Sequence, residues 1–123
     1  MAKKILVIED DPFVVDCMQR KLQSEGYEVV IAQDGVTGLK LAKAIVPDLI
    51  TLDIMLPLLN GFTICGLLKC NDKYKAIPII IVSARDGETD QTFNTEAKPD
   101  AYLTKPFQME ILLDKIEELV HHN

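Results

Sequence analysis

The chain has 123 residues, of which 48% are hydrophobic and 26% charged, and its formal net charge is −6. This length suits one domain with a substantial core, and we expect a single domain over residues 1–123. The acidic balance argues against direct nucleic-acid binding, because phosphate contacts need clustered lysine and arginine. No apolar run approaches the roughly 20 residues needed to span a bilayer, so no membrane insertion is expected.

The cysteines indicate the compartment. Cys17, Cys65 and Cys70 are an odd number without CxxC spacing, which favours free thiols over a disulfide framework or a zinc site. The first residues lead directly into a strand-like segment and do not resemble a signal peptide. We therefore expect a cytoplasmic protein.

Short apolar runs alternate with helical stripes along the whole chain. Unbroken apolar runs are typical of strands buried on both faces, and apolar residues three or four apart are typical of helices. Pro12 suits the first position of a helix, and Gly26 suits its end. Strands are predicted over residues 4–8, 27–32, 49–52, 79–82 and 100–103. Helices are predicted from Pro12 to Gly26, over 36–46, from Gly61 onward, over the weakly apolar segment 86–96, and over 107–120.

The pattern is five repeats of a strand followed by a helix. Such alternation predicts an α/β fold with a parallel sheet and helices on both faces. Right-handed crossovers make this a doubly wound five-stranded (βα)5 architecture. Ligands of such sheets bind beyond the carboxyl ends of the strands.

Reactive polar groups follow four of the five predicted strands. They are Glu9, Asp10 and Asp11 after the first, Asp53 after the third, Ser83 at the end of the fourth and Lys105 after the fifth. Several carboxylates in one cleft repel each other, and a hard divalent cation such as Mg²⁺ would neutralise them. Mg²⁺, a lysine and a hydroxyl suit phosphoryl transfer, in which a carboxylate such as Asp53 can be the nucleophile.

Each of these residues also has an ordinary structural interpretation. Asp10 or Asp11 alone could cap a helix, Ser83 could be a loop hydroxyl, and Lys105 could be a solvated surface charge. Asp53 is harder to explain in this way, because it ends an apolar run in the central strand. The joint arrangement favours one shared site.

These blocks resemble the response-regulator receiver domain of two-component signalling. The matching motifs are Ile8-Glu9-Asp10-Asp11, Asp53-Ile54-Met55-Leu56-Pro57 with Gly61, Val82-Ser83-Ala84, and Tyr102-Leu103-Thr104-Lys105-Pro106-Phe107. The resemblance covers residues 3–120 and implies a flavodoxin-like, CheY-like sheet with strand order 2-1-3-4-5. It also implies a phosphoprotein that catalyses only its own phosphorylation and dephosphorylation, and is not an enzyme acting on other substrates.

The resemblance implies a role for each acid. Asp53 accepts the phosphoryl group from a phosphohistidine on a sensor histidine kinase or a histidine phosphotransfer protein. Asp10, Asp11, Asp53 and the backbone carbonyl of Met55 hold Mg²⁺. Asp11 is expected to be the direct ligand of the acid pair, and Asp10 to act through a water molecule.

The resemblance also implies a switch. Lys105 pairs with Asp53 and then with a phosphate oxygen, the Ser83 hydroxyl bonds the phosphate, and Tyr102 turns inward when Ser83 moves. The peptide bond before Pro106 is expected to be cis. A downstream partner would bind the surface of the fourth helix, fifth strand and fifth helix.

Alternatives remain open from the sequence. The fold could serve as a docking module that is independent of phosphorylation. A Mg²⁺-dependent phosphohydrolase is disfavoured, because Met55 stands where that class carries a second aspartate. A flavodoxin-like electron carrier is disfavoured, because the acids after the first strand would repel a flavin phosphate. We expect no output domain within residues 1–123, and the predicted receiver domain could be a stand-alone protein or part of a larger regulator.

Overall fold

The computed structural model describes residues 2–84 and 98–121. In these residues the strands are β1 (Lys4–Ile8), β2 (Glu28–Ala32), β3 (Leu49–Leu52), β4 (Ile79–Ser83) and β5 (Ala101–Thr104). The helices are α1 (Pro12–Ser24), α2 (Gly35–Ile45), α3 (Gly61–Lys69) and α4 (Met109–His121). The helix predicted over 86–96 lies outside the described residues. None of the four described helices has the length and apolar character to cross a bilayer.

The five strands form one parallel sheet in the order β2-β1-β3-β4-β5. This confirms the predicted doubly wound fold and strand order. Ile8 of β1 pairs with Leu52 of β3, and Ser83 of β4 pairs with Thr104 of β5. The residues that follow these strands therefore emerge together at one edge of the sheet.

Alternate strand residues face two separate cores, one on each side of the sheet. Leu6 and Ile8 pack in the core beneath α2 and α3. Ile5 and Val7 pack in the core beneath α1 and α4. This two-sided burial explains why the strands read as unbroken apolar runs.

Three of the described helices begin with a side-chain cap. The carboxylate of Asp11 accepts from the Phe13 N–H before α1, and Pro12 occupies the first position of that helix. Asp34 caps α2 and Asn60 caps α3 in the same manner. Such caps satisfy N–H groups that have no partner within the helix, so these side chains have a structural task of their own.

Candidate functional site

Backbone hydrogen bonds position the groups at the carboxyl edge of the sheet. The Asp53 N–H donates to the carbonyl of Ile8 at 3.1 Å, which extends the β1–β3 pairing by one step. The Lys105 N–H donates to the carbonyl of Ser83 at 2.8 Å, which does the same for β4 and β5. The side chains of Asp53 and Lys105 are therefore held by the ends of the sheet and not by independent loops.

Two buried carboxylates share one lysine at this edge. Asp53 is 6% exposed and Glu9 is 2% exposed. Lys105 Nζ lies 2.5 Å from Glu9 Oε1 and 3.3 Å from Asp53 Oδ2. Asp53 Oδ1 also accepts from the Met55 N–H at 3.1 Å. The structure thus brings Asp53 and Lys105 together, and it adds Glu9 as the nearest partner of the lysine.

Burial and pairing shift the pKa values of this group. Burial raises the pKa of Glu9 above that of an ordinary glutamate, although the hydrogen bond from Lys105 opposes the shift. Burial lowers the pKa of Lys105, but the hydrogen bond and charge of Glu9, together with Asp53, more than offset it, and the net pKa is raised. The lysine stays an ammonium, and its single charge faces two carboxylates.

Three carboxylates in the described part of the chain form a group suited to a cation. One oxygen from each of Glu9, Asp10 and Asp53 lies within 4.8 Å of the others. Asp10 is exposed, so the group opens to solvent on its side. Oxygen-rich groups of this kind are the donor sets that Mg²⁺ prefers.

Asp11 is not brought into this group of acids. Its carboxylate faces the start of α1 and accepts from the Phe13 N–H at 2.9 Å. Instead Glu9, to which the resemblance assigns no metal-binding role, contributes an oxygen to this group. The signal was present in the sequence: Glu9 directly follows a buried strand, whereas Asp11 directly precedes Pro12, the position of a helix cap.

The remaining residues predicted for the site lie in or shortly after β3, β4 and β5. Ser83 is fully buried at the end of β4. Tyr102 of β5 is half-buried and packs against the core beneath α2 and α3. Met55, two residues after Asp53, is 63% exposed. The Lys105–Pro106 peptide bond is cis.

The loop after Asp53 is held by close packing against Gly61. The Gly61 N–H donates to the carbonyl of Ile54 at 2.9 Å. A Cβ at this position would lie 2.7 Å from Ile54 Cα and closer still to the carbonyl oxygen of Asp53. Only glycine lets α3 begin this close to the end of β3.

An apolar cavity adjoins the lysine. Its volume is about 550 Å³, and it lies between α1 and the segment that leads from β5 into α4. Phe13, at its rim, is 75% exposed. The described lining residues are Phe13, Val14, Cys17, Met18, Ala84, Lys105, Pro106, Phe107 and Met109. The site therefore has an apolar surface beside its charged groups.

Fold and site together define a doubly wound α/β protein with an acidic, lysine-containing site where the strands end. The sequence matches the family described as response regulator receiver domain over residues 5–117. The chain belongs to this family, whose members are signalling modules of two-component response regulators.

Curated relatives contain this domain as one part of a longer protein. The chain is 38% identical over 117 residues to the DNA-binding dual master transcriptional regulator RpaA of Synechocystis, covering 95% of the chain and 48% of that protein. It is 42% identical over 107 residues to the alkaline phosphatase synthesis transcriptional regulatory protein PhoP of Bacillus subtilis, covering 87% and 44%. The chain thus spans about half the length of these relatives.

Solved structures share the fold over nearly the whole chain. A CheY-like receiver domain protein from Methanospirillum hungatei has a TM-score of 0.87 at 31% identity, covering 98% of this chain and 94% of that chain. The receiver domain of a sensor histidine kinase from Pseudomonas aeruginosa has a TM-score of 0.87 at 27% identity, covering 98% of both chains. That structure has a magnesium ion coordinated in its active-site cleft.

Proposed function

We propose that the chain is a phosphoacceptor domain, in which Asp53 receives a phosphoryl group from a phosphohistidine of a sensor histidine kinase or histidine phosphotransfer protein. The observation that carries this proposal is the contact between Asp53 and Lys105, 3.3 Å apart at the carboxyl edge of the sheet. A carboxylate beside a fixed ammonium is suited to attack a phosphorus atom, because the ammonium stabilises the charge on the phosphoryl oxygens.

Mg²⁺ fits the residues of the site. The grouped oxygens of Glu9, Asp10 and Asp53 carry more negative charge than Lys105 neutralises. We assign Asp10, Asp53 and the Met55 carbonyl as the groups that hold the ion, with Glu9 acting through water. Asp11 is left out of this set, because its carboxylate caps α1. The ion, when bound, would neutralise charge on the phosphoryl oxygens.

The transfer step follows from these positions. An oxygen of Asp53 attacks the phosphorus atom, a P–O bond forms, and the P–N bond to the donor imidazole breaks with its electron pair on nitrogen. Lys105 moves its hydrogen bond from the Asp53 carboxylate to a phosphoryl oxygen. The product is an acyl phosphate, which water later hydrolyses.

A conformational switch in β4 and β5 would respond to the acyl phosphate. The Ser83 hydroxyl bonds the new phosphate, and Tyr102 turns further into the core as the end of β4 moves. The charge and acceptor oxygens of the phosphate supply the free energy that biases the two packings. The downstream partner binds a surface that includes β5, α4 and the predicted helix over 86–96, and the signalling takes place in the cytoplasm.

Mass spectrometry after incubation with Mg²⁺ and acetyl phosphate tests the function. We expect one phosphoryl group on the wild-type protein and on Asp16→Asn, a control at an exposed carboxylate of α1, and none on Asp53→Asn. Equal labelling of Asp53→Asn would contradict the assignment. An unlabelled wild type would favour the docking module, and continuous phosphate release far beyond one equivalent would favour a phosphohydrolase.

A further inference from the structure

Lys69, the last residue of α3, is nearly buried and is hydrogen-bonded to Asp100, the residue directly before β5. The Lys69 side chain is 9% exposed. Its Nζ donates to Asp100 Oδ2 at 2.6 Å and to the carbonyls of Ile77 at 2.9 Å and Lys75 at 3.3 Å. An ammonium has three donor hydrogens, so these acceptors satisfy it completely.

Asp100 is in turn bonded to β4 through both its backbone and its side chain. Its N–H donates to the carbonyl of Ile79 at 2.8 Å. Its Oδ2, which already accepts from Lys69, also accepts from the Ile79 N–H at 2.8 Å. Hydrogen bonds to charged groups are stronger than neutral ones, so this carboxylate fixes where β5 starts against β4.

β5 depends on such anchors because it is a short edge strand. It has four residues, pairs only with β4 in the described sheet, and is partly exposed throughout. Asp100 precedes it, and Lys105 follows it with an N–H bond to the carbonyl of Ser83. A slip of one residue in a strand directs every side chain to the opposite face, so the start of β5 determines where Lys105 emerges.

We propose that Lys69 and Asp100 are a positioning pair for Lys105. They hold the start of β5, so that Lys105 Nζ at the other end of the strand reaches Glu9 and Asp53. The kinetic consequence rests on the proposed function, whereas the location of Lys105 is a property of the unphosphorylated protein. The two can therefore be measured separately.

The Mg²⁺ site supplies an internal control, because its carboxylates follow β1 and β3 and not β5. If the pair positions Lys105, its loss weakens the contact between Lys105 and Asp53 and slows phosphorylation, but Mg²⁺ affinity does not fall. A pair that only stabilises the fold would lower the melting temperature and leave the rate unchanged once the protein is folded.

The experiment compares Lys69→Met and Asp100→Asn with Lys75→Met, which removes an exposed ion pair to Asp72 from the same connection. Asp100→Asn is the milder variant, since its amide oxygen can still accept from the backbone of β4. Three properties are measured well below each melting temperature. They are the ¹⁵N signal of the Lys105 ammonium, Mg²⁺ affinity, and the rate of phosphorylation by acetyl phosphate at saturating Mg²⁺.

We expect Lys69→Met and Asp100→Asn to move the Lys105 signal in the direction produced by Asp53→Asn. Their phosphorylation rate falls by roughly 3- to 30-fold, because misplacement of a catalytic group by a fraction of an ångström is costly. Mg²⁺ affinity is retained, and Lys75→Met behaves as wild type. An unchanged Lys105 signal in both folded variants overturns the inference, even if the wild type takes no phosphoryl group and the proposed function itself fails.

Discussion

Three consecutive acids follow β1, and their surroundings divide them into three roles. Glu9 is buried and bonded to Lys105, Asp10 is exposed beside Asp53, and Asp11 caps α1. The Asp11 N–H also donates to Glu9 Oε2 at 3.1 Å, so the backbone of the cap helps to hold the buried glutamate. Residues of the same charge and adjacent positions are therefore not interchangeable here.

Substitution of these acids should separate metal binding from helix capping. We expect Glu9→Gln to weaken Mg²⁺ binding by about tenfold, as is typical when a group that supports a metal site is lost. Asp11→Ala should leave Mg²⁺ affinity unchanged and lower the free energy of unfolding by about 1 kcal/mol through loss of the cap. Titration calorimetry and urea denaturation measure the two effects. A large loss of affinity in Asp11→Ala alone would restore Asp11 as the ligand.

Asp34 caps α2, outside the group formed by Glu9, Asp53 and Lys105. We predict that its carboxylate makes the stability of the protein depend on pH. The Thr37 N–H and hydroxyl donate to its carboxylate at 2.7 Å and 2.9 Å and hold its pKa below the ordinary value of 3.8. A group whose pKa is lowered by folding stabilises the protein above its ordinary pKa. That stabilisation disappears as the pH falls through the folded value.

Asp34→Asn isolates this contribution, because asparagine also caps helices but does not titrate. The quantity to compare is the melting temperature of the wild type minus that of the variant. We expect this difference to decrease as the pH falls from neutral to about 2.5. Scanning calorimetry of both proteins across this range provides the measurement. A difference that stays constant with pH would show that the charge of Asp34 adds nothing to its capping role.

At the scale of elements, the junction of β3 and α3 determines the shape of the loop after Asp53. Gly61 approaches the backbone of Asp53 and Ile54 too closely to admit a side chain. Asn60 caps α3 one residue earlier by accepting from the Thr63 N–H at 3.0 Å. Cap and close packing together hold the backbone on which the proposed Met55 carbonyl ligand depends.

Gly61→Ala should therefore impair function as well as stability. The added methyl forces α3 away from β3, and we expect a loss of about 1–3 kcal/mol in unfolding free energy, as for other overpacked sites, with slower phosphorylation. Denaturation and the acetyl phosphate assay measure the two.

Gly26→Ala, just after α1, is the matched control for Gly61→Ala. Gly26 has a φ of 91° with open space around its Cα, so alanine there meets backbone strain but no neighbour. It should cost about 1 kcal/mol and leave the phosphorylation rate unchanged. Equal effects of the two alanines on the rate would mean that close packing at Gly61 does not shape the site.

At the scale of the whole molecule, one sheet joins groups that are far apart in the chain. Lys105 lies 96 residues from Glu9 and 52 from Asp53, yet it bonds both. We therefore expect a change at Asp53 to be passed to β5 through Lys105. β5 is more exposed than β1, β3 and β4, and we expect it to open locally at a lower free-energy cost because it buries fewer contacts.

Phosphorylation should consequently alter amide hydrogen exchange in β5 more than in β1. In the proposed switch, new bonds from Lys105 and Ser83 to the phosphate would shift the balance between two packings at this edge of the sheet. Exchange measured by mass spectrometry with and without acetyl phosphate checks this, and Asp53→Asn serves as the unphosphorylated control. Unchanged exchange over residues 98–104 would move the output surface to another part of the molecule.

The sequence by itself determined the fold and the set of groups at its edge. Burial on both faces makes each strand an apolar run that can be recognised in the sequence. Because the strands are parallel, Asp53 and Lys105, which follow two of them, must emerge at the same edge of the sheet. Only the tertiary structure decided that Glu9 bonds Lys105 and that an Asp10 oxygen lies near Asp53, because the sequence shows three adjacent carboxylates and no distances between them. The Pro12 that follows Asp11 signals only the helix cap. Likewise, the Lys69–Asp100 pair joins residues 31 positions apart, and such a contact depends on distances that a local pattern does not encode.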